Sequence, residues 1–117
     1  MKDDKLFLIH ILERIKFIED YTQSGHDTFM QSQMIQDAVM RNFEIIGEAV
    51  RNLSEELRQK YADVEWQQIS GFRNILIHAY WSVDNERVWG IIQNNLPTFK
   101  TRVEEILKTL SAVKDEE

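Results

Sequence analysis

The chain has 117 residues, 43% of them hydrophobic, which is enough for one domain with its own core. Its formal net charge of −6 argues against a general nucleic-acid binder, because such proteins usually carry a basic surplus. The lack of cysteine excludes disulfides and thiolate metal sites and suits a reducing, cytoplasmic location, and we expect neither a signal peptide nor a membrane span.

The first predicted element is a helix over residues 5–21, in which apolar residues recur at helical spacing. A turn at residues 24–27 follows. Thr28 and Gln31 then have the spacing of a capping box, which predicts that the next helix opens there. Gly47 lies inside the apolar pattern of that second helix, where glycine costs about 1 kcal/mol relative to alanine. We therefore expect another helix to approach closely at Gly47.

The second half of the chain contains three further helix starts. Ser54 is the predicted cap of a short helix, Asp63 of a helix that carries the main motif, and Asp84 of the last helix. Pro97 is expected to kink or restart that last helix. Longer helices with short connections predict an all-α, up-and-down bundle of four to five helices, in one domain spanning residues 1–117.

Four polar residues, Arg73, Asn74, His78 and Tyr80, follow one another in the motif helix, which is predicted to run to Trp81. On a helix, Tyr80 lies about 20° and His78 about 140° around the axis from Arg73, and Asn74 is one turn from His78. An imidazole can exchange a proton near neutral pH, and a guanidinium binds phosphate oxygens. These residue types suit phosphoryl chemistry without a metal. The spacing alone favours a structural alternative, in which His78 makes an interhelical contact and Arg73 pairs with a carboxylate.

Arg73-x4-His78-x-Tyr80, with Asn74 after the arginine, resembles the motif of the HEPN-superfamily ribonucleases. In particular it is similar to the HepT toxins, which are encoded beside minimal nucleotidyltransferase antitoxins. The similarity extends over nearly the whole chain, although the family often has a proline where Val64 stands. It implies a homodimeric HEPN-like bundle whose two motifs flank a shared cleft, and a metal-independent endoribonuclease that acts as a toxin and needs no cofactor.

The resemblance also implies roles for the motif residues. His78 would accept the proton of a ribose 2′-hydroxyl, and Arg73 would stabilise the transition state that leads to a 2′,3′-cyclic phosphate. Asn74 would orient the imidazole or bond the ribose. Tyr80 corresponds to the tyrosine to which the partner nucleotidyltransferase adds AMP groups. The expected partners are an RNA substrate, for which the family suggests transfer RNA, the cognate nucleotidyltransferase antitoxin and a second copy of the chain.

Residues outside the motif carry weaker predictions. Glu48 lies in the stretch Ile-Gly-Glu-Ala and needs a partner, for which Arg73 is a candidate. His10 is expected on the polar edge of the first helix and His26 in an exposed turn. We expect Trp66 and Trp89 in the core, and Trp81 and Phe72 at a subunit interface, where aromatic residues are enriched.

Two other classes of function remain open from the sequence. The first is a non-catalytic RNA- or nucleotide-binding partner of a nucleotidyltransferase, which the acidic net charge favours. The second is a plain dimeric helical scaffold. The presence of both Arg73 and His78 favours the enzyme, because a scaffold has little need of the pair.

Overall fold

The computed structural model describes the backbone of residues 3–116 and the side chains of residues 3–112. Within that range the chain forms helices and no strands, so the all-α prediction is confirmed. The seven α-helices are α1 (Asp4–Tyr21), α2 (His26–Gln31), α3 (Gln33–Asn52), α4 (Glu55–Lys60), α5 (Trp66–His78), α6 (Asn85–Asn94) and α7 (Leu96–Glu116). A single 3-10 turn, Tyr80–Ser82, lies between α5 and α6. None of the helices described here is both long and apolar enough to cross a membrane.

Helix α3 is the centre of the bundle, because it packs against both α1 and α5, while α7 covers another side of α1. The helical stripe of α1 that the sequence indicated provides Leu8, Ile11, Ile15 and Ile18, all fully buried. They meet apolar residues of α3, α6 and α7 in one continuous core, which includes Val39, Val50, Val88, Val103 and Ile106. The packing leaves one long face of α3 open between α1 and α5.

Several predicted helix boundaries are confirmed by their capping bonds. The Ser54 hydroxyl accepts a hydrogen bond from the Leu57 amide at 3.1 Å at the start of α4, and Asp84 accepts one from the Glu86 amide at 2.9 Å at the start of α6. The restart at Pro97 is also confirmed, since this residue is the second of α7. A proline is tolerated there because the first amides of a helix have no intrahelical acceptor.

The predicted capping box at Thr28 is wrong, because Thr28 lies inside α2. This short helix instead begins after Gly25, whose φ of 95° is one that glycine adopts without strain. The long helix α3 opens at Ser32, whose hydroxyl accepts a hydrogen bond from the Ile35 amide at 3.2 Å. A turn and the short helix α2 therefore precede α3, and the Ser32 cap determines where α3 begins.

The predicted cap at Asp63 is also wrong. Helix α5 begins at Trp66, and its N-cap residue Glu65 makes no side-chain capping bond. Asp63 instead accepts hydrogen bonds from Arg102 Nε at 2.7 Å and Nη2 at 3.2 Å. The Arg102 guanidinium holds the pKa of the Asp63 carboxyl below its ordinary value. Asp63 therefore pairs with a residue 39 positions away in the sequence and does not cap the nearby helix.

The aromatic residues divide between core and surface. Trp66 is buried, as predicted, and its indole nitrogen donates to the Tyr61 carbonyl at 3.0 Å, while Trp89 is partly buried against the core. Phe72 packs edge-on against Phe43 within the chain, with ring centroids 5.5 Å apart. Trp81 is 74% exposed, so its indole is available to a partner, as predicted for an interface residue.

His26 joins α2 to α6, rather than standing free in a turn. Its Nε2 lies 2.7 Å from Glu86 Oε1 and its Nδ1 lies 3.2 Å from Asp27 Oδ1, and its ring meets Trp89 edge-on. The hydrogen bond with Glu86, and secondly the one with Asp27, raise the pKa of His26 above its ordinary value.

Candidate functional site

Arg73 is the best-fixed residue of the motif. Its Nε lies 2.9 Å from Glu48 Oε2 on α3, and its Nη1 donates to the Asn74 side-chain oxygen at 3.2 Å. The Arg73 side chain is 20% exposed, whereas that of Glu48 is 52% exposed. The predicted contact between Glu48 and Arg73 is therefore present. It orients a charged guanidinium at the boundary between core and solvent, where it can meet an anion.

The close approach of α5 to α3 depends on Gly47, as the sequence predicted. A Cβ atom at this position would lie 2.5 Å from Arg73 Cβ, 3.3 Å from Arg73 Cγ and 3.3 Å from the Ile69 carbonyl oxygen. The stem of Arg73 thus occupies the space that any larger residue would need. Gly71, the glycine of α5 itself, has nothing within 4 Å of an added Cβ.

The open face of α3 forms the floor of a cavity of about 250 Å³, here named the Arg73 groove. Helix α1 supplies one wall and α5 the other. The lining residues are Phe7, His10, Arg41, Glu44, Ile45, Glu48, Ala49, Asn52, Arg73 and Ile77. Across one turn of the floor, Arg41 Nη1 and Glu44 Oε2 form an ion pair at 3.0 Å. Sequence reasoning missed His10, because this residue is 63 positions from Arg73 and only the packing of α1 on α3 brings it to the groove.

His78 lies elsewhere. It is the last residue of α5, its side chain is exposed, and it does not line the Arg73 groove. The five-residue spacing turns it about 140° around the helix from Arg73. Asn74, which was expected to orient the imidazole or to bond the ribose, accepts a hydrogen bond from Arg73 in this structure. Within one chain the imidazole and the guanidinium of the motif therefore face different directions.

Tyr80 is not on the motif helix, and the prediction that this helix reaches Trp81 is wrong. The backbone leaves the helix at Ala79, with φ −148° and ψ 40°, and Tyr80 begins the 3-10 turn. The Ser82 amide and hydroxyl both donate to the Ala79 carbonyl, at 2.9 and 2.7 Å. These bonds satisfy the carbonyl that a continuing helix would otherwise have used, so the chain can turn there.

The Tyr80 ring is 66% exposed and meets Trp81 edge-on, with ring centroids 5.6 Å apart. It borders a second cavity of about 440 Å³, the Tyr80 groove, lined by Asp37, Met40, Glu44, Leu76, Ile77 and Tyr80. Glu44 and Ile77 line both grooves and so form the ridge between them. Within the described side chains, no three histidine, aspartate or glutamate residues come together as ligands for a metal ion.

A family model described as Ribonuclease HepT-like matches residues 11–106, which include Glu48, Arg73, His78 and Tyr80. The chain belongs to the HepT-like ribonuclease family. The matched range contains the residues of α3 and α5 that line the Arg73 groove and the exposed end of α5, whereas Phe7 and His10 on α1 precede it.

Individual relatives have names that refer to ribonucleases. A Methanocaldococcus jannaschii protein named "Gamma-glutamylcyclotransferase and putative RNase" is 41% identical over 97% of this chain, which spans only 52% of that longer protein. A second protein of that organism, named "Putative RNase", is 40% identical over 93% of the chain and 91% of its own length. A Thermococcus cleftensis protein named "Probable ribonuclease HepT" is 32% identical over 92% of the chain and 98% of its own length. No solved structure matches the chain.

Proposed function

We propose that this protein is a metal-independent endoribonuclease that acts as the toxin of a toxin–antitoxin pair. The observation that carries the proposal is Arg73, held by Glu48 at the edge of an open groove in a HepT-like ribonuclease chain. A guanidinium so oriented can bind the scissile phosphate and stabilise the charge that develops on its oxygens.

In the proposed reaction, His78 accepts the proton of a ribose 2′-hydroxyl. The freed oxygen attacks the adjacent phosphorus, and the bond to the 5′ oxygen of the next nucleotide breaks. The products are a 2′,3′-cyclic phosphate and a 5′-hydroxyl, whose proton comes from a second imidazole acting as general acid. Arg73 stabilises the phosphorane-like transition state, and no metal or cofactor takes part.

This chemistry requires a second copy of the chain, because His78 and Arg73 face different directions within one protomer. We propose a homodimer in which the ends of two α5 helices meet and two His78 imidazoles flank one cleft. The exposed side chains at that end support this arrangement: Ile75 is 47% exposed and Trp81 is 74% exposed. Apolar surface of this kind favours association, and a two-fold axis would place both motifs at one seam.

Tyr80 is the proposed regulatory site. Its phenol is exposed, so a cognate nucleotidyltransferase antitoxin can reach it and transfer AMP to its oxygen, with release of pyrophosphate from ATP. The added phosphate brings negative charge near the cleft and competes with RNA for Arg73. Co-expression with the antitoxin should add the mass of AMP to the wild type and not to Tyr80→Phe. An unchanged mass of the wild type would contradict this part.

The catalytic proposal is tested with purified protein free of antitoxin, by mapping the ends of cleaved cellular RNA. We expect cyclic phosphate and 5′-hydroxyl ends with the wild type. His78→Ala should lower the cleavage rate by about 10²–10⁴-fold and Arg73→Ala by about 10²–10³-fold. Arg51→Ala, which removes an exposed arginine that does not line the groove, is the matched control and should cleave like the wild type.

The second candidate function is a non-catalytic RNA- or nucleotide-binding partner of a nucleotidyltransferase. Two observations favour it: the net charge of −6 and the position of His78 outside the Arg73 groove. In that case wild type and His78→Ala would bind RNA equally and neither would cleave it. A plain scaffold would neither bind nor cleave, and its variants would differ only in stability.

A further inference from the structure

The Arg73 groove contains a histidine that the reaction proposed above does not use. His10 projects from α1 into the cavity whose opposite wall carries Arg73. Its side chain is exposed, so solvent and ligand can reach it. Among the described residues that line the groove, it is the one imidazole.

Because of the other charges that line the groove, the protonation state of His10 decides the net charge of the lining. Arg41 and Arg73 are balanced by Glu44 and Glu48, and each arginine forms an ion pair with one of these glutamates. The formal charge of the lining is therefore zero when the imidazole of His10 is neutral, and positive by one when it is protonated. The groove attracts an anion most strongly in the protonated state.

The surroundings of His10 do not change this balance. One turn further along α1, Glu13 and Arg14 carry opposite charges. The charged groups on the facing helices are the four already named, three on α3 and Arg73 on α5, and no described residue of α7 lines the cavity. The chain as a whole has a charge of −6 and repels a polyanion, so attraction must come from a local cation.

We propose that His10 is a phosphate-binding residue, which holds a backbone phosphate of single-stranded RNA in the Arg73 groove together with Arg73. The inference rests on the ribonuclease function proposed above and adds a substrate contact to it. Protonation of the His10 imidazole gives a charged donor to a phosphate oxygen on the wall opposite the guanidinium. His10 thereby makes RNA binding tighter in mildly acidic solution.

The test measures binding separately from cleavage. The ligand is a mixed-sequence oligonucleotide in which every 2′-hydroxyl is methylated, so that it cannot be cut by 2′-oxygen attack. Fluorescence anisotropy gives its dissociation constant at about pH 6 and about pH 8, on either side of the usual imidazole titration. We expect the wild type to bind about threefold to tenfold more tightly at the lower pH, the range for a charge-assisted contact in a partly exposed site.

Three variants make the test specific. His10→Gln keeps a polar side chain and should remove the pH dependence. Lys16→Gln removes a cation from α1 outside the groove and should behave like the wild type, and His26→Gln, which removes an imidazole outside the groove, should keep the pH dependence. In the proton spectrum, the ring resonances of His10 should shift when the oligonucleotide is added. A merely structural role for His10 would leave both readouts unchanged.

The outcomes separate this inference from the function on which it rests. If His10→Gln binds with the same pH dependence as the wild type, or if His26→Gln abolishes that dependence, His10 is not the phosphate contact. The same conclusion follows if the wild type does not bind the oligonucleotide at all. If binding depends on His10 and no unmodified RNA is cleaved, the ribonuclease proposal fails while the phosphate site stands.

Discussion

The substitution Gly47→Ala tests the packing that places Arg73. The added methyl carbon would lie 2.5 Å from Arg73 Cβ, which is about 1 Å short of an ordinary carbon–carbon contact. The atom it meets is the first carbon of a side chain rooted on α5, so rotation of a flexible end cannot relieve the contact. Helix α5 must move away from α3, and overpacking of this kind costs about 1–3 kcal/mol.

Alanine also improves helix propensity, by about 1 kcal/mol relative to glycine, and this gain must be separated from the clash. Gly71 in α5 and Gly90 in α6 provide the controls, because a Cβ at either position has nothing within 4 Å. We expect Gly71→Ala and Gly90→Ala to be about 1 kcal/mol more stable than the wild type. Gly47→Ala should then lie about 1–3 kcal/mol below these two controls.

The assay is urea unfolding followed by far-ultraviolet circular dichroism, with thermal unfolding as a second measure. At this chain length 1 kcal/mol corresponds to roughly 4 °C in Tm. Movement of α5 also lengthens the 2.9 Å contact between Glu48 and Arg73, so Gly47→Ala should lose RNA cleavage in a range where it is still folded. Equal stabilisation by all three alanines, with cleavage unchanged, would refute the close approach described at Gly47.

Three further predictions concern contacts elsewhere in the bundle and at the motif. Ser54→Ala should lower the free energy of unfolding in urea by about 1–2 kcal/mol, because the hydroxyl caps α4 and also donates to Asp4 at 2.6 Å. A decrease of only a few tenths of a kcal/mol would contradict this. Glu86 raises the pKa of His26 in the folded protein, so the contribution of this histidine to the free energy of unfolding is complete below the unfolded pKa of about 6.5 and is lost as pH rises through the higher folded value. His26→Gln should remove this pH-dependent part of the stability. Parallel plots of unfolding free energy against pH for the variant and the wild type would refute the prediction. Glu48→Gln should lower kcat for RNA more than it changes KM, because the motif arginine loses the carboxylate that orients it, and an unchanged kcat would argue against that role.

Local patterns were sufficient for much of the fold. The stripe on α1 and the caps at Ser54 and Asp84 depend on neighbours two to four positions away, which the sequence displays directly. Gly47 could be interpreted because a glycine inside a strongly helical segment weakens the helix, a cost that a close helix–helix contact can offset. The contact of Glu48 with Arg73 followed from the cost of leaving a carboxylate unpaired on a mostly apolar face.

Two of the errors came from a contact that is distant in sequence and from a break that has no residue signature. Asp63 looks like a cap until Arg102, on another helix, is brought beside it. Alanine is the best helix former, so nothing at Ala79 announced the end of α5. His10 lies on the polar edge of α1, as expected, but its place in the Arg73 groove is a property of how α1 packs on α3.

The break at Ala79 also separates the aromatic turn Tyr80–Ser82 from the helix α5 that precedes it. Tyr80 and Trp81 stand on a three-residue turn outside the helical hydrogen-bond ladder, and both rings are largely in solvent. A bulky group attached to the phenol oxygen would extend into solvent and over the turn, and not into the buried side chains beneath it. A covalent group on this phenol would therefore find room without any change in the packing of the core.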